Sequence, residues 1–310
     1  MKTAATTTAA CDTHAQLAAF ARDFSVETTP AGDAKIGDYR AHLPAGTTVA
    51  ITHLPGAEIR DSVRVAARLR REGFEPAPHL AARSLKSESE FADFLARLSG
   101  EADVRHAVAL AGAPPKPLGP FDSSMALLET GLLDKHGITT IGVAGHPEGS
   151  PDISDELLAE ALQLKNDFAE RSGANMYIAT QFVFEAAPLI AWDKAIRDSG
   201  NRLPIHAGIP GPASLKTLLG YARACGIGAS MRFLTRQARN VAKLMTLSTP
   251  DQLLLDLARH RARDPECGVT HAHFYPLGGL RRTAHFVRAL AEGEFVVTAE
   301  SALKLNAPLP

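Results

Sequence analysis

Glu27 stands between Val26 and Thr28 in the apolar run FSVETT, and a carboxylate in such a setting is costly to bury unless it has a partner or a task. It is the first candidate for proton chemistry, with a simple ion pair as the plainer alternative. Other reactive side chains also stand near the ends of short apolar runs: Thr52 and His53 after TVAI, His79 in EPAPHL, Gln181 in NMYIATQ, and His273 and Tyr275 in VTHAHFY. His146 and Glu148 belong to HPEGSPD (146–152), which reads equally as a Pro/Gly turn. His271 and His273, two apart on a strand, point to one face. A metal reading of that pair is weak because the bulky Phe274 and Tyr275 follow immediately, so no metal is expected and packed histidines are the reading kept. Arg232, Arg236 and Arg239 share a helical face and could draw a phosphate or a glutamate tail, although a solvated face is the commoner explanation.

The elements that must position these residues follow from periodicity. Eight short runs, at 24–29, 48–53, 75–80, 104–110, 139–145, 175–181, 203–209 and 269–275, alternate with amphipathic stretches of helical length. One stretch is AEIRDSVRVAARLRREG, with Ile59, Val63, Ala66, Ala67 and Arg70 at three- and four-residue spacing and Gly73 at its end. Another starts with Ser87 and Glu90 in capping-box order. Eight parallel strands close a (β/α)8 barrel, whose active site lies at the carboxyl ends of the strands, where the residues above fall. The fourth run ends in Ala111, Gly112 and Ala113, small residues that leave room for a ligand along the backbone. Residues 1–20 read as a flexible leader and 21–310 as one barrel domain; an open doubly wound sheet would carry a glycine fingerprint that is missing here.

Composition narrows the partners. The 310 residues are 45% hydrophobic and 22% charged, with 33 Lys plus Arg against 34 Asp plus Glu, a formal charge of −1. That balance argues against a nucleic-acid surface and for a small-molecule partner. Cys11, Cys225 and Cys267 are widely spaced with no CxxC, which suits a reducing cytoplasm better than a disulfide framework. No apolar stretch reaches the ~18 residues of a membrane span, so no membrane partner is expected.

With the strand ends in place, the order of segments resembles the methylenetetrahydrofolate reductase family across roughly residues 22–290. The matching pieces are FSVETTP, AITHLPGAEIRDS, PAPHLAAR, VAGHPEGSPD, SGANMYIATQFVFE, IHAGIPGPAS and HFYPLG, seven in the family's order. The resemblance implies an oxidoreductase that interconverts 5,10-methylenetetrahydrofolate and 5-methyltetrahydrofolate, with FAD in the barrel mouth and NADH or NADPH as hydride source. Glu27 would be the acid that opens the five-membered ring. Thr52, His79, Gly112, Ala144, His146 and Lys165 would lie along the cofactor, and Gln181 and Tyr275 along the tetrahydrofolate. A homo-oligomer is left open.

The chain also departs from that family. Where the fourth strand of the family ends Leu-Arg-Gly-Asp, this chain has Leu110, Ala111, Gly112 and Ala113, so a phosphate-binding cation and a ring-contacting carboxylate are missing. Each lost charge-assisted contact costs about 1.5–3 kcal/mol, and the FAD site is expected to be weakened. Two further readings stand beside the reductase: a non-redox folate-binding barrel serving a methyltransferase system, and a metal-dependent hydrolase resting on the histidines.

Overall fold

The computed structural model describes residues 2–54, 56–224, 234–235 and 245–310. Eight parallel strands close on themselves: β1 (Ser25–Thr28), β2 (Thr48–Ile51), β3 (Glu75–Ala81), β4 (His106–Leu110), β5 (Thr140–Gly145), β6 (Asn175–Phe182), β7 (Ile205–Pro210) and β8 (Val269–Tyr275). They follow chain order around the ring, and β8 returns to β1 with Ser25 opposite His273 and Val26 opposite Phe274. The expected (β/α)8 barrel is therefore the fold, with strand ends displaced from the expected ranges by a residue or two.

Alternation along each strand divides its two faces. Val26, Val49, Ile51, Leu80, Ile141, Val143, Ile178, Ile209 and Phe274 point outward into one large core shared with the surrounding helices. Inside the barrel, Ala50, Ala77 and Val108 form a separate small cluster with Leu110 against it. The helix Ile59–Arg71 buries Val63, Ala66 and Leu69, and Gly73 beyond it adopts φ +89°, the left-handed turn that glycine tolerates best. Ser87 caps the helix Glu88–Ala102 by accepting a 3.0 Å bond from Glu90 N–H. Glu90 reaches back to the N–H of Lys86 at 2.6 Å, one residue earlier than the standard box would place it.

The segment expected to be a flexible leader is instead a helix, Lys2–Ala21. Its C-terminal half buries Leu17, Phe20 and Ala21 against the outer helices, and His14 stacks on Phe295 at 4.2 Å. The reason is local: Thr13, Leu17, Phe20 and Ala21 recur at helical spacing, a stripe hidden by the Ala/Thr-rich composition in front of it. None of the described helices is long and apolar enough to cross a membrane.

The amino-terminal floor of the barrel is filled by rings. His106 Nε2 and the Tyr177 hydroxyl are 2.7 Å apart, Tyr177 stacks on His206 at 3.8 Å, and His206 stacks on His271 at 4.3 Å. Burial, reinforced by neighbouring imidazoles, pushes His106 and His271 down to about 4 and His206 down to about 2, so all three are neutral at physiological pH. Gly142 lies beneath the Tyr177 ring, where a Cβ would meet the phenolic carbon and oxygen at 2.6 Å.

Candidate active site

Glu27 and Ser25 occupy the inward positions of β1, and barrel closure brings β8 beside them. The Glu27 carboxylate accepts a 2.9 Å hydrogen bond from Thr52 Oγ1, just beyond β2. Two imidazoles approach the same carboxylate at longer range: His273 Nε2 at 3.4 Å from β8 and His79 Nε2 at 3.5 Å from β3. On its other side His273 Nδ1 is 2.8 Å from Ser25 Oγ. With Nε2 carrying the proton, His273 donates toward Glu27 and accepts the Ser25 hydroxyl at Nδ1, a chain along which a proton can pass. Four strands thus contribute to one acid–base cluster, and Tyr275 extends it with its ring edge-on to His273 at 5.1 Å and its hydroxyl donating to the Thr180 carbonyl at 2.9 Å.

The electrostatics of the ligand-free cluster favour the carboxylate. A general acid calls for a raised carboxyl pKa, and burial does push Glu27 upward. The hydrogen bond from His273, the charges of His79 and His273, and the Thr52 hydroxyl together outweigh burial and hold it below the usual carboxylate range. Burial drives His79 toward its neutral form, so the lasting stabilisation of the carboxylate is the hydrogen bonds from His273 and Thr52. Without ligand, Glu27 is ionised at neutral pH.

A second group sits at the end of β5. Lys165 is the buried residue of the helix Asp155–Ser172, and its Nζ donates to the Ala144 carbonyl at 3.2 Å. Burial draws its pKa down to about 8. His146, one residue beyond β5, is pushed down to about 4 by burial and then by the Lys165 charge. Behind it Gly149 turns at φ +76° and donates to the His146 carbonyl at 3.1 Å, so HPEG is the turn its composition suggested. Gln181 lies half-buried near the end of β6, where Gly208 of β7 is close enough that a Cβ there would strike the Thr180 and Gln181 carbonyl oxygens at 2.5 and 2.6 Å. The contacts thus unite Thr52, His79 and His273 around Glu27, with Tyr275 joined through His273, and bring Ala144, His146 and Lys165 together separately. Arg232, Arg236 and Arg239 lie outside the described residues.

Gly112, φ +90°, packs against the β3 end, where its Cβ would stand 3.1 Å from that of Ala81. The loops after β3 and β4 are knitted together: Arg83 N–H donates to the Ala111 carbonyl at 2.8 Å, Leu118 N–H to the Arg83 carbonyl at 2.9 Å, and Arg83 Nε to the Asp122 carbonyl at 2.8 Å. With Ala111 and Ala113 uncharged and Lys165 tied to a carbonyl, these residues do not fit a tightly held dinucleotide diphosphate.

His273 was legible as an inward-facing residue but not as the partner of Glu27, because that contact exists only once the last strand closes on the first.

A family model for methylenetetrahydrofolate reductase matches residues 36–277, so the match starts after Glu27 and takes in Thr52 through Tyr275. Methylenetetrahydrofolate reductase 1 of Schizosaccharomyces pombe is 28% identical over 146 residues, 44% of this chain and 22% of that protein. The aligned part is thus under a quarter of that relative's length. Among solved structures, a protein from Clostridium thermocellum that binds two copies of 5-methyl-5,6,7,8-tetrahydrofolic acid superposes with a TM-score of 0.54 at 15% identity, covering 87% of this chain and 95% of that one. That likeness is one of fold.

Proposed function

Since the chain belongs to the methylenetetrahydrofolate reductase family, we propose that its barrel mouth binds a tetrahydrofolate and interconverts the 5,10-methylene and 5-methyl forms, with Glu27 as the acid. The observation that carries this reading is the cluster of Glu27, Thr52, His79 and His273, an acid–base group shared by four strands at a barrel mouth. NADH or NADPH supplies the hydride. The chain's part is to place a proton: Glu27 protonates the ring nitrogen whose bond to the one-carbon unit breaks, and the hydride reaches the carbon of the resulting iminium, giving the methyl group. His273, backed by Ser25, restores the proton to Glu27. Folate covering the cluster removes water, which raises the carboxyl pKa toward the value an acid needs. Gln181 and Tyr275 flank the pterin, while Lys165 and His146 lie toward the cofactor side.

The hydride passes directly from the nicotinamide in this reading, because the β4 end, with Ala111 and Ala113, lacks the charges that would hold FAD. The same feature favours the second reading, a folate-binding barrel without redox chemistry that serves a methyltransferase system. One assay separates them: methylenetetrahydrofolate and NADH, or NADPH, are incubated with the protein, and 5-methyltetrahydrofolate is measured. Product whose rate falls on Glu27→Gln supports the reductase; saturable folate binding with no product supports the binding role.

A further inference from the structure

At the opposite end of the barrel from the mouth, three elements converge on a mixed set of donors that the proposed reaction does not use. Asp193 lies on the helix Ala186–Asp198, His260 on the helix Asp251–Arg263, and Cys267 in the turn before β8. Their donor atoms all lie within 4.8 Å of one another. We propose that Asp193, His260 and Cys267 form a structural site for a zinc-class divalent cation.

The donors are presented rather than merely close. Asp193 is fully buried, and both its oxygens accept the Gly268 N–H at 3.2 Å, which fixes the carboxylate toward the cluster. Gly268 allows that approach, since a Cβ there would stand 2.5 Å from Asp193 Oδ1. His260 Nε2 is shielded from solvent and has no hydrogen-bond partner among the described residues, with Asp264 Oδ2 the carboxylate 3.7 Å away. Cys267 Sγ, a weak donor, has a 4.0 Å contact to the Val269 carbonyl and also hydrogen-bonds the Asp193 carboxylate, which turns the thiol toward the cluster. An imidazole nitrogen, a thiol and a carboxylate are the donor types that zinc combines, and Asp264 adds a second carboxylate at the edge.

Charge points the same way. Asp193 and Asp264 face Arg197, whose Nε is 3.4 Å from the first and whose terminal nitrogen is 2.9 Å from the second. At the rim, Glu266 faces Arg197 at 3.8 Å and Arg261 faces Cys267, one charge of each sign that leaves the sum unchanged. Two carboxylates against one guanidinium leave a net negative charge in a largely buried group. A divalent cation bound with the Cys267 thiolate, its proton released to solvent, brings the sum to zero. Arg197 then holds the carboxylates from outside, as outer partners of ligating carboxylates do. The cation would clamp two outer helices to the start of β8, the strand that closes the barrel.

Cobalt(II) is the probe. The full chain, stripped with chelator, is titrated with cobalt while the thiolate-to-cobalt charge-transfer band is followed, in the natural sequence and in a Cys11→Ser/Cys225→Ser background where Cys267 is the remaining thiol. The expected result is one equivalent bound with the band in both, displaced by zinc, lost in Cys267→Ser and more than ~100-fold weaker in His260→Ala, given that outer-partner losses alone cost roughly 10–100-fold. Absence of the band in the Cys11→Ser/Cys225→Ser chain overturns the proposal without relying on a variant of the site. So does a band that persists in Cys267→Ser.

Discussion

Thr52 Oγ1 donates a 2.9 Å hydrogen bond to the Glu27 carboxylate, which ties the end of β2 to β1. That bond helps hold the Glu27 pKa down, and its removal has a definite sign. Thr52→Val should raise the kinetic pKa of Glu27 seen in kcat/KM, moving the protonated form toward neutral pH. A downward shift in the pH profile would contradict the assignment.

Glu27→Gln keeps the shape and removes the proton. Turnover should fall by roughly 10²-fold or more with the far-ultraviolet dichroism unchanged. Unaltered turnover removes Glu27 from the chemistry.

The fold was legible because β1 to β8 are short, mostly apolar runs that alternate with stretches of helical length. The histidines were legible only as inward-facing. Glu27 and His273 are 246 positions apart, and their meeting depends on closure of the ring. The lowered carboxyl pKa was hidden for the same reason: burial alone raises it, and its hydrogen-bond partners come from strands whose register no local pattern reveals. The Lys2–Ala21 helix was missed because its apolar stripe begins only near Thr13, behind residues of weak amphipathicity.

Acid should destabilise the fold through its floor. His106, His206 and His271 have folded pKa values depressed to about 4, 2 and 4 from an ordinary 6.5. Below 6.5 the unfolded chain therefore binds more protons than the folded one, and stability is full above 6.5 and lost as pH falls toward 4. Each imidazole contributes a slope of up to about 1.4 kcal/mol per pH unit in that window. His206→Phe should flatten urea-derived stability between pH 6.5 and 4; an equal slope in the variant would contradict the neutral-floor account.

Gly142→Ala should cost about 1–3 kcal/mol, because the new methyl meets the Tyr177 ring at 2.6 Å inside a packed barrel. Chemical denaturation measures this, and Gly142→Ala combined with Tyr177→Phe should recover part of the loss, since the added methyl also meets the phenolic oxygen.

FAD should be absent or weakly held after purification, with Ala111→Arg and Ala113→Asp together improving its retention. Absorbance after gel filtration reads this directly, and stoichiometric flavin in the unmodified protein would mean that Lys165 or another cation neutralises the diphosphate.

Calorimetric titration with 5-methyltetrahydrofolate tests, with the fewest assumptions, whether the mouth around Glu27 is a tetrahydrofolate site. The expected result is saturable binding that weakens in Gln181→Ala and shifts with pH in the natural chain but not in Glu27→Gln. Absence of saturable binding to the folded protein, or binding indifferent to both substitutions, would contradict it.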